Sequence, residues 1–89
     1  MKRITTKDGF TIDVDPERFN DMRVLEKLAD VKEGDITGLP RLIEMTLGKD
    51  GKEALYKFFE KDGRVPTEVI TDVYFDEIMI LTGEEVKNS

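Results

Sequence analysis

The sequence contains no cysteine and no histidine, so its fold must rest on an apolar core alone. Disulfide bonds and zinc sites, which hold many small domains together, are excluded. The 89 residues are enough to bury one modest core, which predicts a single domain over residues 1–89. The same absence removes the side chain that titrates near neutral pH and the thiolate nucleophile. The composition therefore favours a binding module over an enzyme.

The net charge of −6 is concentrated in the last part of the chain. Residues 67–89 hold six acidic side chains and one basic side chain, whereas residues 1–66 are close to balanced. Nucleic-acid binding needs a clustered basic patch, and the sequence has none. No apolar run approaches the ~20 residues of a membrane helix, and Met1-Lys2-Arg3 does not begin a signal peptide. We therefore expect a cytoplasmic protein that binds neither nucleic acid nor membrane.

A β-hairpin is predicted at the start of the chain, around the turn Lys7-Asp8-Gly9. A two-residue and a three-residue loop are both compatible with this turn. Only the three-residue loop, with Gly9 in a left-handed conformation, places Ile4, Phe10, Ile12 and Val14 on a single face. Because a buried face sets the register of a strand pair, we predict that Ile4 lies opposite Ile12.

The rest of the chain predicts helices separated by glycines. Asp15 is the expected cap of the first helix and Thr67 that of the last. The helical segments run from Asp15 to Gly34, from about Ile36 to Gly48, from about Asp50 to Lys61 and from about Glu68 to Thr82. The predicted fold is therefore mainly α, with a β-hairpin over residues 1–14, a bundle of about four helices over residues 15–83 and a flexible acidic tail over residues 84–89.

The last predicted helix has two different faces when its residues are placed about 100° apart. Seven apolar residues fill the arc that should face the core: Val69, Ile70, Val73, Tyr74, Ile78, Ile80 and Leu81. Phe75 and Met79 lie on the opposite side, beside Glu68, Asp72 and Asp76. These three acids are four residues apart, and no base on the same helix neutralises them. The pattern places an apolar pair next to an acidic ridge.

Two interpretations of this face remain open. Phe75 and Met79 pack under the hairpin or the tail in one interpretation, and the acids pair with an arginine elsewhere. The candidate arginines are Arg18, Arg23 and Arg41. In the other interpretation, Phe75 and Met79 anchor a partner protein and the acids form the rim of the contact. Glu77 lies inside the core arc, where it must be paired or stand at an edge.

The candidate motifs for catalysis or metal binding each lack residues that the chemistry requires. Asp13-Val14-Asp15 is similar to the first residues of an EF-hand loop, but Arg18 and Val24 stand where the loop needs glycine and glutamate. The glycines form no phosphate-binding loop. Pairs of nearby carboxylates are more often a solvated surface than a metal site. We therefore predict a protein that is not an enzyme and has no cofactor or metal.

The order of segments resembles the small tail assembly chaperones of long-tailed, siphovirus-type bacteriophages and prophages of Gram-positive hosts. Three stretches carry the resemblance: Phe10-Thr11-Ile12-Asp13-Val14-Asp15, the stretch Leu39-Pro40-Arg41-Leu42-Ile43-Glu44-Met45-Thr46-Leu47-Gly48, and Asp62-Gly63-Arg64-Val65-Pro66. The resemblance implies a protein of the host bacterial cytoplasm that binds the tape measure protein, assists tail tube subunits to polymerise and self-associates. It carries over no site residues, so Phe75, Met79, Glu68, Asp72 and Asp76 are predicted from helix geometry alone. The alternative function is an acidic interaction or inhibitor module that docks a basic partner.

Overall fold

The computed structural model describes residues 1–83, and the predicted flexible tail over residues 84–89 lies outside this range. The chain is mainly helical, with a two-stranded antiparallel hairpin at its start. The elements are β1 (Lys2–Thr5), β2 (Thr11–Val14), α1 (Met22–Lys32), α2 (Leu39–Phe59) and α3 (Thr67–Val73). Short 3₁₀ turns precede α1 and α2, at Pro16–Phe19 and Ile36–Gly38. A π-helical segment, Tyr74–Met79, continues α3, and we call the whole helical stretch over residues 67–83 the C-terminal helix.

The hairpin has the predicted register. Ile4 pairs with Ile12, and the Thr6 N–H donates to the Phe10 carbonyl at 2.8 Å. Gly9 has a φ of 89°, which is the left-handed conformation that the three-residue loop requires. Ile4, Phe10 and Val14 are buried, and they close one end of the helical core. The side-chain period of two was therefore sufficient to predict this element.

The number of helices was wrong, because the structure has three α-helices over residues 1–83 and not about four. The second and third predicted helices form one element, α2, which bends at Gly48. Gly48 has a φ of 80° and a ψ of 167°, a conformation that almost only glycine adopts. A β-carbon at Gly48 would lie 2.8 Å from Arg18 Nη1. Gly48 therefore interrupts the helix as predicted, but the next turn begins at once and no loop separates the two parts.

The start of α1 also differs from the prediction. Asp15 accepts a hydrogen bond from the Glu17 N–H at 3.0 Å, but it caps only the 3₁₀ turn Pro16–Phe19. Asp21 caps α1 itself through a 2.8 Å hydrogen bond from the Arg23 N–H. One predicted helix is therefore a turn followed by a helix, each with its own aspartate cap.

The core lies where α2 contacts α1 on one side and α3 on the other. Leu42, Ile43 and Leu55 of α2 are fully buried in it. Tyr74 is also fully buried, and its hydroxyl lies 2.7 Å from Thr46 Oγ1. This hydrogen bond ties α2 to the first residue of the π-helical segment. The position of the C-terminal helix relative to α2 is thereby fixed at the point where its winding changes.

Candidate protein-binding groove

The C-terminal helix changes its winding at Tyr74, and this change decides which residues reach the surface. A π-helix bonds each N–H to the carbonyl five residues earlier, so each residue turns through a smaller angle than in an α-helix. Tyr74, Ile78 and Thr82 are each 0% exposed, so the core side of the helix follows a spacing of four residues. Ile80 is 51% exposed and was wrongly predicted as core. Val69 was also predicted as core and is 39% exposed.

Phe75 and Met79 lie at the boundary between the core and the surface. Both side chains are half-buried and pack against the core. The Phe75 ring meets the Tyr74 ring edge to face, with 5.3 Å between the centroids. The sequence placed Phe75 and Met79 opposite the core, and the smaller turn of the π-helical segment brings them closer to it. Their predicted role as contact residues stays a prediction.

An open groove follows this side of the C-terminal helix. It consists of two basins that share Ile36, whose side chain is 45% exposed. The first basin has a volume of about 230 Å³ and is mostly apolar, with Tyr56, Val65, Thr67 and Ile70 in its wall. We call the two basins together the C-terminal groove.

The second basin, of about 410 Å³, contains the two predicted apolar anchors. Its wall is formed by the end of α1 on one bank and by the C-terminal helix on the other. The lining residues are Val31, Lys32, Ile36, Thr71, Phe75, Asp76, Met79 and Ile80. Sequence reasoning missed Ile36 as a surface residue. The available signal was its isolated position between the polar residues Asp35 and Thr37.

The predicted acidic ridge is present and carries no ion pair within residues 1–83. Glu68, Asp72 and Asp76 are exposed, and none of them lies within salt-bridge distance of a described base. Arg41, a predicted partner, instead donates to Glu44 at 3.0 Å. Asp76 lies on the wall of the second basin, so the ridge borders the C-terminal groove. A partner that enters the groove would meet uncompensated negative charge along one bank.

Glu77 has a structural role that answers one of the open questions. Its Oε1 accepts a hydrogen bond from the backbone N–H of Lys7 at 2.7 Å. This bond joins the turn of the hairpin to the middle of the π-helical segment. Glu77 is therefore paired, and it is not one of the free acids of the ridge.

The described part of the chain was also compared with the requirements for a metal site and for a membrane-spanning helix. Within residues 1–83, no three histidine, cysteine or acidic side chains come together as metal ligands would. No helix in the same range has both the length and the apolar character needed to cross a membrane. Comparison of the chain with protein-family models, curated proteins and solved structures found no match. The C-terminal groove is therefore the feature from which we infer a function.

Proposed function

We propose that the protein is a non-catalytic assembly chaperone that holds an apolar segment of a partner chain in the C-terminal groove. Following the sequence resemblance, the clients are a phage tape measure protein and the tail tube protein, in the cytoplasm of the host bacterium. Self-association of the chaperone belongs to the same proposal. The observation that carries it is the exposure of Ile36 and Ile80 in a groove bordered by an acidic ridge.

The composition of the groove suits this role. A chaperone must offer apolar side chains to its client while it remains soluble itself. In the C-terminal groove, Ile80 and Met79 supply apolar contacts, and Asp76 beside them keeps the surface charged. Methionine adapts its shape to different partners because its side chain is unbranched and polarisable. Acidic residues along the edge also add net charge, which favours solubility.

The proposal is tested by co-expression with the largest coiled-coil-like protein encoded just downstream. We expect this client to remain soluble and to co-purify with the chain. Ile80→Ser should lower the soluble fraction of the client, because Ile80 is 51% exposed in the groove. Val69→Ser is the matched control, since Val69 is a 39% exposed branched residue of the same helix outside the groove. Phe75 and Met79 are less suitable, because their substitution would also disturb the core.

The co-expression result discriminates between two outcomes. If the client precipitates equally with and without the chain, the chaperone proposal is wrong. If the client is soluble but Ile80→Ser and Val69→Ser act alike, the chaperone function stands and the C-terminal groove is not its site.

A second candidate function is favoured by Glu68, Asp72 and Asp76, which form no ion pair with any base in residues 1–83. In this alternative, the ridge alone docks a basic protein, which the chain sequesters or inhibits. Binding through exposed charges weakens strongly as salt rises, because the Debye length falls from about 10 Å at 0.1 M to about 3 Å at 1 M. Binding through Ile80 and Met79 should change little over the same range. Measuring the dissociation constant at several salt concentrations for the wild type and for Ile80→Ser separates the two functions, because only binding through the groove keeps affinity at high salt and loses it in the variant.

A further inference from the structure

We infer that the C-terminal groove is shaped for a basic amphipathic α-helix with two large apolar side chains seven residues apart. These side chains enter the two basins on either side of Ile36, and lysine or arginine residues on one flank face the acidic ridge. This inference rests on the proposed function in that both place a client in the groove. It goes further because it specifies the conformation, spacing and charge of the segment that binds.

A helical ligand follows from the walls of the groove. They consist of side chains from α1, α2, the C-terminal helix and the Ile36–Gly38 turn. An extended peptide would bring backbone N–H and C=O groups that need partners. Two of the polar groups here are already engaged, because the Thr71 hydroxyl donates to the Thr67 carbonyl at 2.7 Å and the Thr37 hydroxyl donates to Asp35. A helix satisfies its own backbone and presents only side chains to such a surface.

The two basins set the spacing of the apolar side chains. On the C-terminal helix, Thr67 and Ile70 line the first basin, whereas Phe75, Met79 and Ile80 line the second. With Thr71 and Asp76, which also line the second basin, the centres of the two groups are about eight residues apart, or about 12 Å at a rise of about 1.5 Å per residue. Two side chains at positions i and i+7 of a ligand helix are separated by nearly the same distance and point in nearly the same direction.

The charges on the two banks of the groove determine where basic residues should lie on the ligand helix. Glu68, Asp72 and Asp76 follow one another at intervals of four residues, about 6 Å along the helix axis. Bases at i, i+4 and i+8 of a ligand helix match this interval. Lys32 stands on the opposite bank of the second basin, so a base on the other flank of the ligand would be repelled there. The groove therefore favours a ligand whose positive charge lies on one flank only.

The test uses three fluorescein-labelled synthetic peptides of equal length and an alanine-rich helical background. The first has leucines at i and i+7 and three lysines at four-residue intervals on one flank. The second has the same composition, but the second leucine is moved by two residues to another face. The third has glutamates in place of the three lysines. Fluorescence anisotropy at low salt should show at least tenfold weaker binding for the second and third peptides than for the first.

Variants of the protein complete the test. Ile80→Ser and Asp76→Asn should each weaken binding of the first peptide several-fold, whereas the matched Val69→Ser should leave it unchanged. Equal binding of the first and second peptides would contradict the inferred spacing of the apolar side chains. Equal binding of the first and third peptides would contradict the inferred charge pattern. Failure of all three peptides to bind would overturn the whole inference. If the downstream client nevertheless stays soluble in co-expression, only this inference falls and the chaperone function stands.

Discussion

The buried hydrogen bond between Thr46 and Tyr74 allows a prediction of both the direction and the size of mutational effects. Thr46 Oγ1 lies 3.0 Å from the Leu42 carbonyl, 3.2 Å from the Ile43 carbonyl and 2.7 Å from the Tyr74 hydroxyl. A threonine hydroxyl has one proton; with that proton directed at the α2 carbonyls, Tyr74 is the donor to Thr46. The two partners therefore depend on this bond to different degrees.

Removing the donor should cost less than removing the acceptor. Tyr74→Phe leaves Thr46 bonded to α2 and should lower the free energy of unfolding by about 1 kcal/mol. Thr46→Val keeps the shape but leaves the Tyr74 O–H buried without an acceptor, which should cost about 2–3 kcal/mol. The double variant should cost less than the sum of the two single variants, because it buries no unpaired hydroxyl at this site.

Urea denaturation of the four proteins in this double-mutant cycle measures all three values. A Thr46→Val variant no less stable than Tyr74→Phe would contradict the assignment of Tyr74 as donor. Additive effects of the two substitutions would show that the bond contributes no coupling energy. Either result would refute the argument from the distances.

Three further predictions concern other parts of the fold. Burial raises the pKa of the Tyr74 hydroxyl, so above about pH 10 the unfolded chain loses this proton before the folded protein does. The free energy of unfolding should therefore fall as the pH rises above about 10. Urea titrations at about pH 8 and about pH 11 should show this fall in the wild type and a smaller one in Tyr74→Phe. Gly48→Ala should lower stability by about 2–3 kcal/mol, because a φ of 80° with a ψ of 167° is a conformation that almost only glycine adopts. Gly63→Ala should cost about 1–2 kcal/mol, since Gly63 has a positive φ but open space around its missing β-carbon. Equal losses of stability in urea denaturation would contradict this reasoning. Glu77→Ala should cost about 1 kcal/mol and speed amide exchange at Lys7, and unchanged exchange would show that the turn does not depend on this carboxylate.

The parts of the fold that the sequence predicted correctly depend on local rules. The hairpin register follows from the two-residue alternation of Ile4, Phe10, Ile12 and Val14 together with a turn that needs glycine. The interruption at Gly48 follows from the same conformational freedom. The glycine at position 48 did not allow us to predict that the helix restarts directly after it. Whether a helix restarts immediately or after a loop depends on packing against the core, which acts between residues distant in sequence.

Only the bank of the C-terminal groove that belongs to the C-terminal helix could be predicted in part from the sequence. Placing residues about 100° apart identified Glu68, Asp72 and Asp76 as an exposed ridge, and they are exposed. The same rule failed for Ile80, which lies after the change in winding at Tyr74, and also for Val69, which lies before it, so the predicted core arc was too wide as well. The opposite bank comes from the end of α1 and the turn before α2, and a projection of one helix contains no information about either. The C-terminal groove therefore emerges only from the tertiary structure.

The position of the π-helical segment links the stability of the fold to the groove. A regular α-helix from Thr67 onwards would place Met79 opposite the core and would place Ile80 beside Val69 at the edge of the core face, so both side chains would move relative to the second basin. π-Helical winding is rare and occurs most often in single turns at functional sites. Here it is held at its first residue by the Tyr74–Thr46 bond and in its middle by the Glu77–Lys7 bond. Both tertiary hydrogen bonds fall within the six residues whose winding sets the shape of the groove. Substitutions that break them should therefore weaken client binding even though neither Thr46 nor Glu77 lines the groove.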